Sequence, residues 1–282
     1  MSNVEGLEPI ITRLDADLKR AAATMTVDEA RFLVDAYYAA QEGRKRTGNQ
    51  VNAMIMEPHA VLGWLNVQSE KLENQIRRAL DAYTDAREIG LWAKNIYGIG
   101  PVITAGLLAH IDIEQAPTVG HIWRFAGLDP TTKWNKGQKR PWNADLKTLC
   151  WKVGQSFMKF SGREDCFYGA IYRQRKEYEI ARNESGGNAE TAANILATRN
   201  VGKTTEMYKH LTVGKLPPAQ IDARARRYAV KLFLSHFHAV WWYLEKGELP
   251  PKPYILTQAG GHAHMILPPD MPLGMEEAYR RV

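Results

Sequence analysis

The chain has 282 residues, 45% hydrophobic and 24% charged, the balance of an ordinary folded polypeptide, which excludes collagen-like, low-complexity and wholly disordered architectures. No apolar run reaches the roughly 18 to 20 residues a bilayer crossing needs, and two cysteines, Cys150 and Cys166, exclude a disulfide framework or a thiolate zinc site. The net charge of +6 is modest, but residues 133–182 hold 12 Lys and Arg against 5 Asp and Glu, so the positive charge is concentrated.

The amino terminus MSNVEGLEPI has no basic flank followed by an apolar stretch, and predicts an untargeted, cytoplasmic protein without a membrane partner. Residues 1–93 read as helices, because apolar positions recur at three- and four-residue intervals and Gly and Pro are sparse. A first helix is expected over Leu7–Ala23. Thr26-Val27-Asp28-Glu29 is a capping-box pattern that starts a second, running toward Met54 and ended by Pro58, with Gly48 its weak point. A third, from Ala60 to Trp92, places Leu62, Leu65, Leu72, Ile76, Leu80 and Tyr83 on one stripe. Long helices with a narrow apolar seam pack as a hairpin or coiled coil, within one chain or across a homodimer.

The segment from Asn95 to Ile111 is the most informative. A helix stops near Tyr97, a Gly98-Ile99-Gly100 turn follows, and Pro101 opens a new helix where its missing amide hydrogen costs nothing. Glycines let the backbone turn sharply and approach a ligand, and the free amides of the new helix can bind an anion. The bland alternative is a Gly-Pro helix break with no ligand. Pro117–Pro130 then predicts a short helix capped by Gly127, followed by a polar basic loop, Thr131–Pro141. Helices resume at Ala144–Ser161 and Asp165–Arg182, interleaving Lys and Arg with Trp134, Trp142, Trp151, Phe157, Phe160, Phe167, Tyr168, Tyr172 and Tyr178. Such a mixture suits a phosphate backbone with bases or sugars packed on rings, or a helical core whose cations are merely solvated. Asn183–Asn188, with Gly186 and Gly187, reads as a linker; a helix over Asp222–Glu245 and an irregular proline-rich tail follow.

The Gly98-Ile99-Gly100 arrangement resembles the helix-hairpin-helix module, which grips a DNA backbone phosphate without reading sequence. More broadly, YGIGPVITAGLLAHIDI, PTVGHIWRFAGLDP, the basic loop, LKTLCWKVGQSFMK and FYGAIYRQRKEY together resemble the carboxyl-terminal half of bridge-RNA-guided DEDD insertion-sequence transposases, the IS-one-ten family. The resemblance covers about residues 90–182. The later stretches IDARARRYAVKLFLSHFHAVWW and GGHAHMILPP resemble the tails of phage and bacterial relatives. Members of that family carry a ribonuclease-H-like domain with an acidic magnesium site and a nucleophilic serine in the loop. Here Asp15, Asp17, Asp28, Glu29 and Asp35 lie on amphipathic helices without strand-like runs, and the loop has threonines, Thr131 and Thr132, in place of a serine. The resemblance thus implies the family's DNA-handling half without its strand-transfer chemistry, and no catalytic, metal or cofactor site is assigned.

Three tempting signals carry little. Ala197–Thr204 fits a loose phosphate-loop pattern but follows a polar helix rather than a strand. His236 with His238 cannot chelate a metal from one regular helix, because positions two apart point in different directions. His262 and His264 sit in a glycine-led loop whose role is open.

The expected fold is mostly α: a long-helix arm over 1–93, a helix-hairpin-helix nucleic-acid-binding domain over 94–182, and a helical segment with an irregular tail over 183–282. DNA-binding candidates are Gly98, Ile99, Gly100, Val102 and Thr104 at the turn, Lys133, Trp134, Lys136, Lys139 and Arg140 in the loop, and Arg224 and Arg227 on the later helix. The expected partner is duplex or branched DNA, with structured RNA fitting the same contacts, in the nucleoid of a bacterial or phage-infected cell. A catalytic subunit needing a separate acidic domain, and a coiled-coil scaffold, are the two competing classes.

Overall fold

The computed structural model describes residues 13–54, 60–252 and 265–281, all helices and connections, with no strand among the described residues. The expected all-α class holds. The chain divides into two units, 1–95 with 100–112, and 96–99 with 113–282.

The first unit contains α1 (Ala16–Ala23), α2 (Val27–Ala53), α3 (Ala60–Asp85), α4 (Glu88–Asn95) and α5 (Pro101–His110). Helix α2 begins with the expected capping box: the Glu29 amide donates to the Thr26 hydroxyl at 3.3 Å and the Thr26 amide to the Glu29 carboxylate at 2.7 Å. It continues unbroken past Gly48. Gln41 donates to Glu73 at 3.1 Å, and Gly48 faces Asn66, so α2 and α3 run antiparallel. Arg44 completes the cradle around the buried Glu73 carboxylate.

The single helix expected from Ala60 to Trp92 is broken. The chain stops at Asp85 and restarts at Glu88, because the Arg87 guanidinium takes the Tyr83 carbonyl at 2.5 Å while its amide bonds the Thr84 carbonyl. Gly90 lies so close to that carbonyl that a Cβ would stand 2.2 Å from it. The expected stripe also divides. Leu80 and Tyr83 are buried where α1, α2 and α5 surround α3, whereas Leu65 and Leu72 remain exposed. Pro58 and the residues before Arg13 lie outside the described residues.

The second unit is built on α11 (Pro218–Lys246), against which pack α6 (Val119–Phe125), α7 (Ala144–Lys159) and α8 (Phe167–Glu184). Proline in the first turn and Gly247 in the left-handed conformation bound α11, four residues earlier than its apolar pattern suggests. The core is aromatic. Phe157 stacks on Tyr168 at 4.9 Å, and Phe233 meets both edge-on. Each fully buried ring contributes roughly 1.5–3 kcal/mol of transfer free energy.

The expected linker, and with it the boundary at 183, is corrected by the structure. Asn183 and Asn188 are buried. Asn183 donates to the Leu216 carbonyl at 3.0 Å and accepts from the Leu216 amide at 2.8 Å and from Asn188 at 3.0 Å. That network fastens α9 (Ala189–Thr198) and α10 (Glu206–Thr212) to the end of α8, and its polar composition is why it resembles a linker in sequence. Helix α9 also precedes the loose phosphate-loop pattern, leaving no strand before it.

His236 and His238 serve the core. His236 Nδ1 accepts from the Tyr168 hydroxyl and Nε2 donates to the Ile266 carbonyl, each at 2.8 Å, while His238 Nε2 donates to the Ala116 carbonyl at 2.7 Å. Burial pushes the His236 imidazole down to about 4 and lowers His238 as well. Below the unfolded value of 6.5 the unfolded chain takes up a proton that folded His236 refuses until about pH 4. Stability from this group is therefore present above pH 6.5 and lost as pH falls through that window, at roughly 1.4 kcal/mol per pH unit. Urea unfolding at pH 7 and pH 5 should give a lower midpoint at pH 5, with a smaller fall in a His236→Gln variant.

Candidate nucleic-acid interface

The Gly98-Ile99-Gly100 turn is present, and its two arms belong to different units: the chain enters the second unit at Ile96 and returns to the first at Gly100. In the second unit the turn is held by the end of α7. The Gly98 carbonyl accepts the Ser156 hydroxyl at 2.5 Å, and the Tyr97 ring meets Phe160 edge-on at 5.1 Å beneath the Arg163 guanidinium. Gly98 adopts φ +92°, and a Cβ there would lie 2.9 Å from the Ser156 oxygen, so glycine is required for architecture alone. Ile99 is buried.

Gly100 differs. It caps α5 with an ordinary extended backbone, φ −97° and ψ 176°, and nothing lies within 4 Å of its would-be Cβ. Neither conformation nor packing demands glycine there. Val102 and Ile103 follow as first-turn amides with no partner inside the helix and no side-chain cap. The Val102 and Thr104 side chains are buried, so any part they play at the turn runs through the backbone.

The basic loop is closed at its base. Helix α6 ends in a Schellman motif, with the Gly127 amide on the Arg124 carbonyl at 3.0 Å and the Leu128 amide on the Trp123 carbonyl at 2.8 Å. The Asn143 amide then reaches back to the Phe125 carbonyl at 2.8 Å, while its side chain caps α7 by accepting from Leu146. Between these anchors Lys133, Trp134, Lys136, Lys139 and Arg140 are all exposed. The loop is not shapeless. The Trp134 indole donates to the Gln138 carbonyl at 2.7 Å, Arg140 lies 5.6 Å from that ring, and Trp134 meets Trp142 edge-on at 6.4 Å.

Beside the loop, cations from separate elements converge. The Lys147 ammonium lies 3.9 Å above the Trp142 ring, and Lys231 of α11 lies 4.0 Å above Trp123. Partial burial, against Trp142 and Trp123 respectively, holds both ammonium groups below the ordinary lysine range, and Arg227 lowers both further; Arg140 also acts on Lys147, while Asp129 opposes the shift at Lys231. A fold that gathers like charges this closely is disposed to receive an anion.

Lys147 and Lys231 were visible in sequence only as members of basic runs; nothing there places them beside Arg227. Arg224, in contrast, is removed from the interface. It is turned inward onto the buried Glu179 carboxylate and bonds Asn188 at 2.9 Å, so it serves the polar network. Thr131 and Thr132 both donate their hydroxyls to Asp129, whose carboxyl is held below its usual range first by the Thr131 amide. A carboxylate so stabilised is a weakened base for activating either hydroxyl. Among the described residues no group of three or more His, Cys, Asp or Glu is placed to hold a metal ion, and no helix is long and apolar enough to cross a membrane. His262 and His264 lie outside the described residues.

No family model, curated protein or solved structure matches this chain.

Substitution at the three glycines separates their roles. Gly127 adopts φ +63° with Trp142 2.9 Å from its would-be Cβ. Gly98→Ala and Gly127→Ala should each destabilise by roughly 1–3 kcal/mol, through left-handed strain and displaced neighbours. Gly100→Ala should stay within roughly 0.5 kcal/mol of the parent. Chemical denaturation of the three variants checks the order.

Proposed function

We propose that this protein binds nucleic acid, DNA foremost, by gripping phosphates rather than reading bases, in recombination, transposition or phage DNA metabolism. The observation that carries the reading is the convergence of Arg140, Lys147 and Arg227 from loop, α7 and α11, with the Lys147 ammonium 3.9 Å above the Trp142 ring and held below its ordinary range first by partial burial and then by the two arginines. Phosphates would relieve that repulsion, and the exposed Lys133, Lys136 and Lys139 would extend the contact along the backbone. The open space at Gly100, before the uncapped amides of α5, supports a further phosphate contact. The transposase-like motifs support that biological setting, in which the protein would work at the nucleoid.

The first unit would supply self-association. Val61, Leu65 and Leu72 recur at helical spacing on α3 and are 58, 42 and 41% exposed, an apolar stripe suited to the same stripe of a second copy. A homodimer would carry two basic faces.

Binding of the purified protein to a blunt DNA duplex across a salt series tests the reading. Affinity should fall steeply with salt, and a Lys147→Gln, Arg227→Gln double variant, both positions exposed, should bind at least roughly tenfold more weakly with a salt slope shallower by about 2. Salt-insensitive binding, or a variant equal to the parent, would overturn it.

A further inference from the structure

We propose that the face formed by the basic loop and α7 stacks unpaired bases on Trp134 and Trp151, making single-stranded nucleic acid a ligand of this protein in its own right. The proposal rests on the nucleic-acid reading above and narrows it to a substrate class that phosphate contacts alone do not select.

Trp151 is the starting point. Helix α7 buries Leu146, Leu149, Cys150, Val153 and Phe157 along one side, so its core contact is complete without Trp151, which stands 61% exposed. Large aromatic rings are costly to leave in water and are enriched where a ligand will cover them. Trp151 lies four residues after Lys147, one turn along the same face, and Lys147 is itself seated on Trp142. Trp142 in turn meets Trp134, which is 39% exposed and held in orientation by its bond to the Gln138 carbonyl. Trp134 is thus joined by contacts through Trp142 to Lys147, and Trp151 stands one helical turn beyond Lys147 on the same face, so Arg140 and Lys147 place positive charge along the line of the exposed rings.

That arrangement identifies the occupant. A strand of unpaired nucleotides presents flat rings and a phosphate at every step, and aromatic platforms beside cations bind such strands with little sequence preference. Bases inside a duplex are already stacked on one another and offer no free face to an indole. The cationic rim complements the strand's phosphates as it would not complement a neutral apolar partner.

The test uses the full-length protein and three labelled oligomers of equal length: oligo-dT, oligo-U and a blunt DNA duplex. Trp151→Ala and Trp134→Ala should each weaken binding of the better-bound single strand by roughly tenfold, within the range of one lost stacking contact. Duplex affinity should change less than twofold in Trp151→Ala, and Trp151→Phe should restore most of the single-strand binding. Thermal midpoints near the parent's confirm that the variants are folded, as expected for exposed positions. The stronger of oligo-dT and oligo-U assigns the strand to DNA or RNA, and either supports the proposal.

Single-strand affinity unchanged in Trp151→Ala, or lost in equal measure on duplex and single strand, overturns the stacking face. If that occurs while the parent still binds duplex with steep salt dependence, the phosphate-binding reading survives without it. If the parent binds none of the three oligomers, both fall.

Discussion

The second unit depends on the close crossing of α7 over α11. At Gly154 the backbone of α7 comes so near α11 that a Cβ would sit 3.1 Å from a Val230 methyl and 3.5 Å from the Arg226 Cβ. A side chain there would have to displace the Val230 methyl by a few tenths of an ångström, so glycine suits that approach. The approach fixes the rotation of α7: Leu149, Val153 and Phe157 face inward, and Lys147 and Trp151 are turned to the outer side. It also brings Arg227, three residues before Val230 on α11, into electrostatic reach of Lys147. The positive cluster is therefore a consequence of helix packing and not of any local sequence motif.

This explains what could and could not be read from the chain. The elements with local causes were legible: the Thr26 capping box, the Pro101 helix start and the Gly127 cap each follow from a few adjacent residues. The basic loop was legible as well, because charge density needs no tertiary information. The break at residues 86–87 was not, since the Arg87 guanidinium closing the turn onto the Tyr83 carbonyl leaves the apolar period undisturbed. Asn183 was misread for a related reason. In sequence a polar residue beside two glycines has the composition of a connector, yet its amide meets both polar groups of the Leu216 backbone across 33 residues.

The candidate site divides along the same line. Gly98 and Gly100 form a symmetrical pair in the motif, but the structure gives them unequal duties, one locked under Ser156 and the other facing open space. Arg224 and Arg227 are three apart on one helix and would be counted together in any charge tally. One neutralises a buried glutamate; the other faces solvent among cations. Which arginine does which is decided by Glu179 of α8, a residue that carries no motif at all.

The clamp between the Asn143 amide and the Phe125 carbonyl has an evolutionary consequence. With its ends tied and α6 and α7 separately capped, the intervening loop is insulated from the helices that support it. Residues between Asp129 and Pro141 can be replaced, lengthened or shortened at a closure cost that grows only slowly with length, leaving the aromatic core untouched. Sequence change can therefore accumulate there as changes of loop identity on a constant scaffold, much as a tool handle accepts different heads.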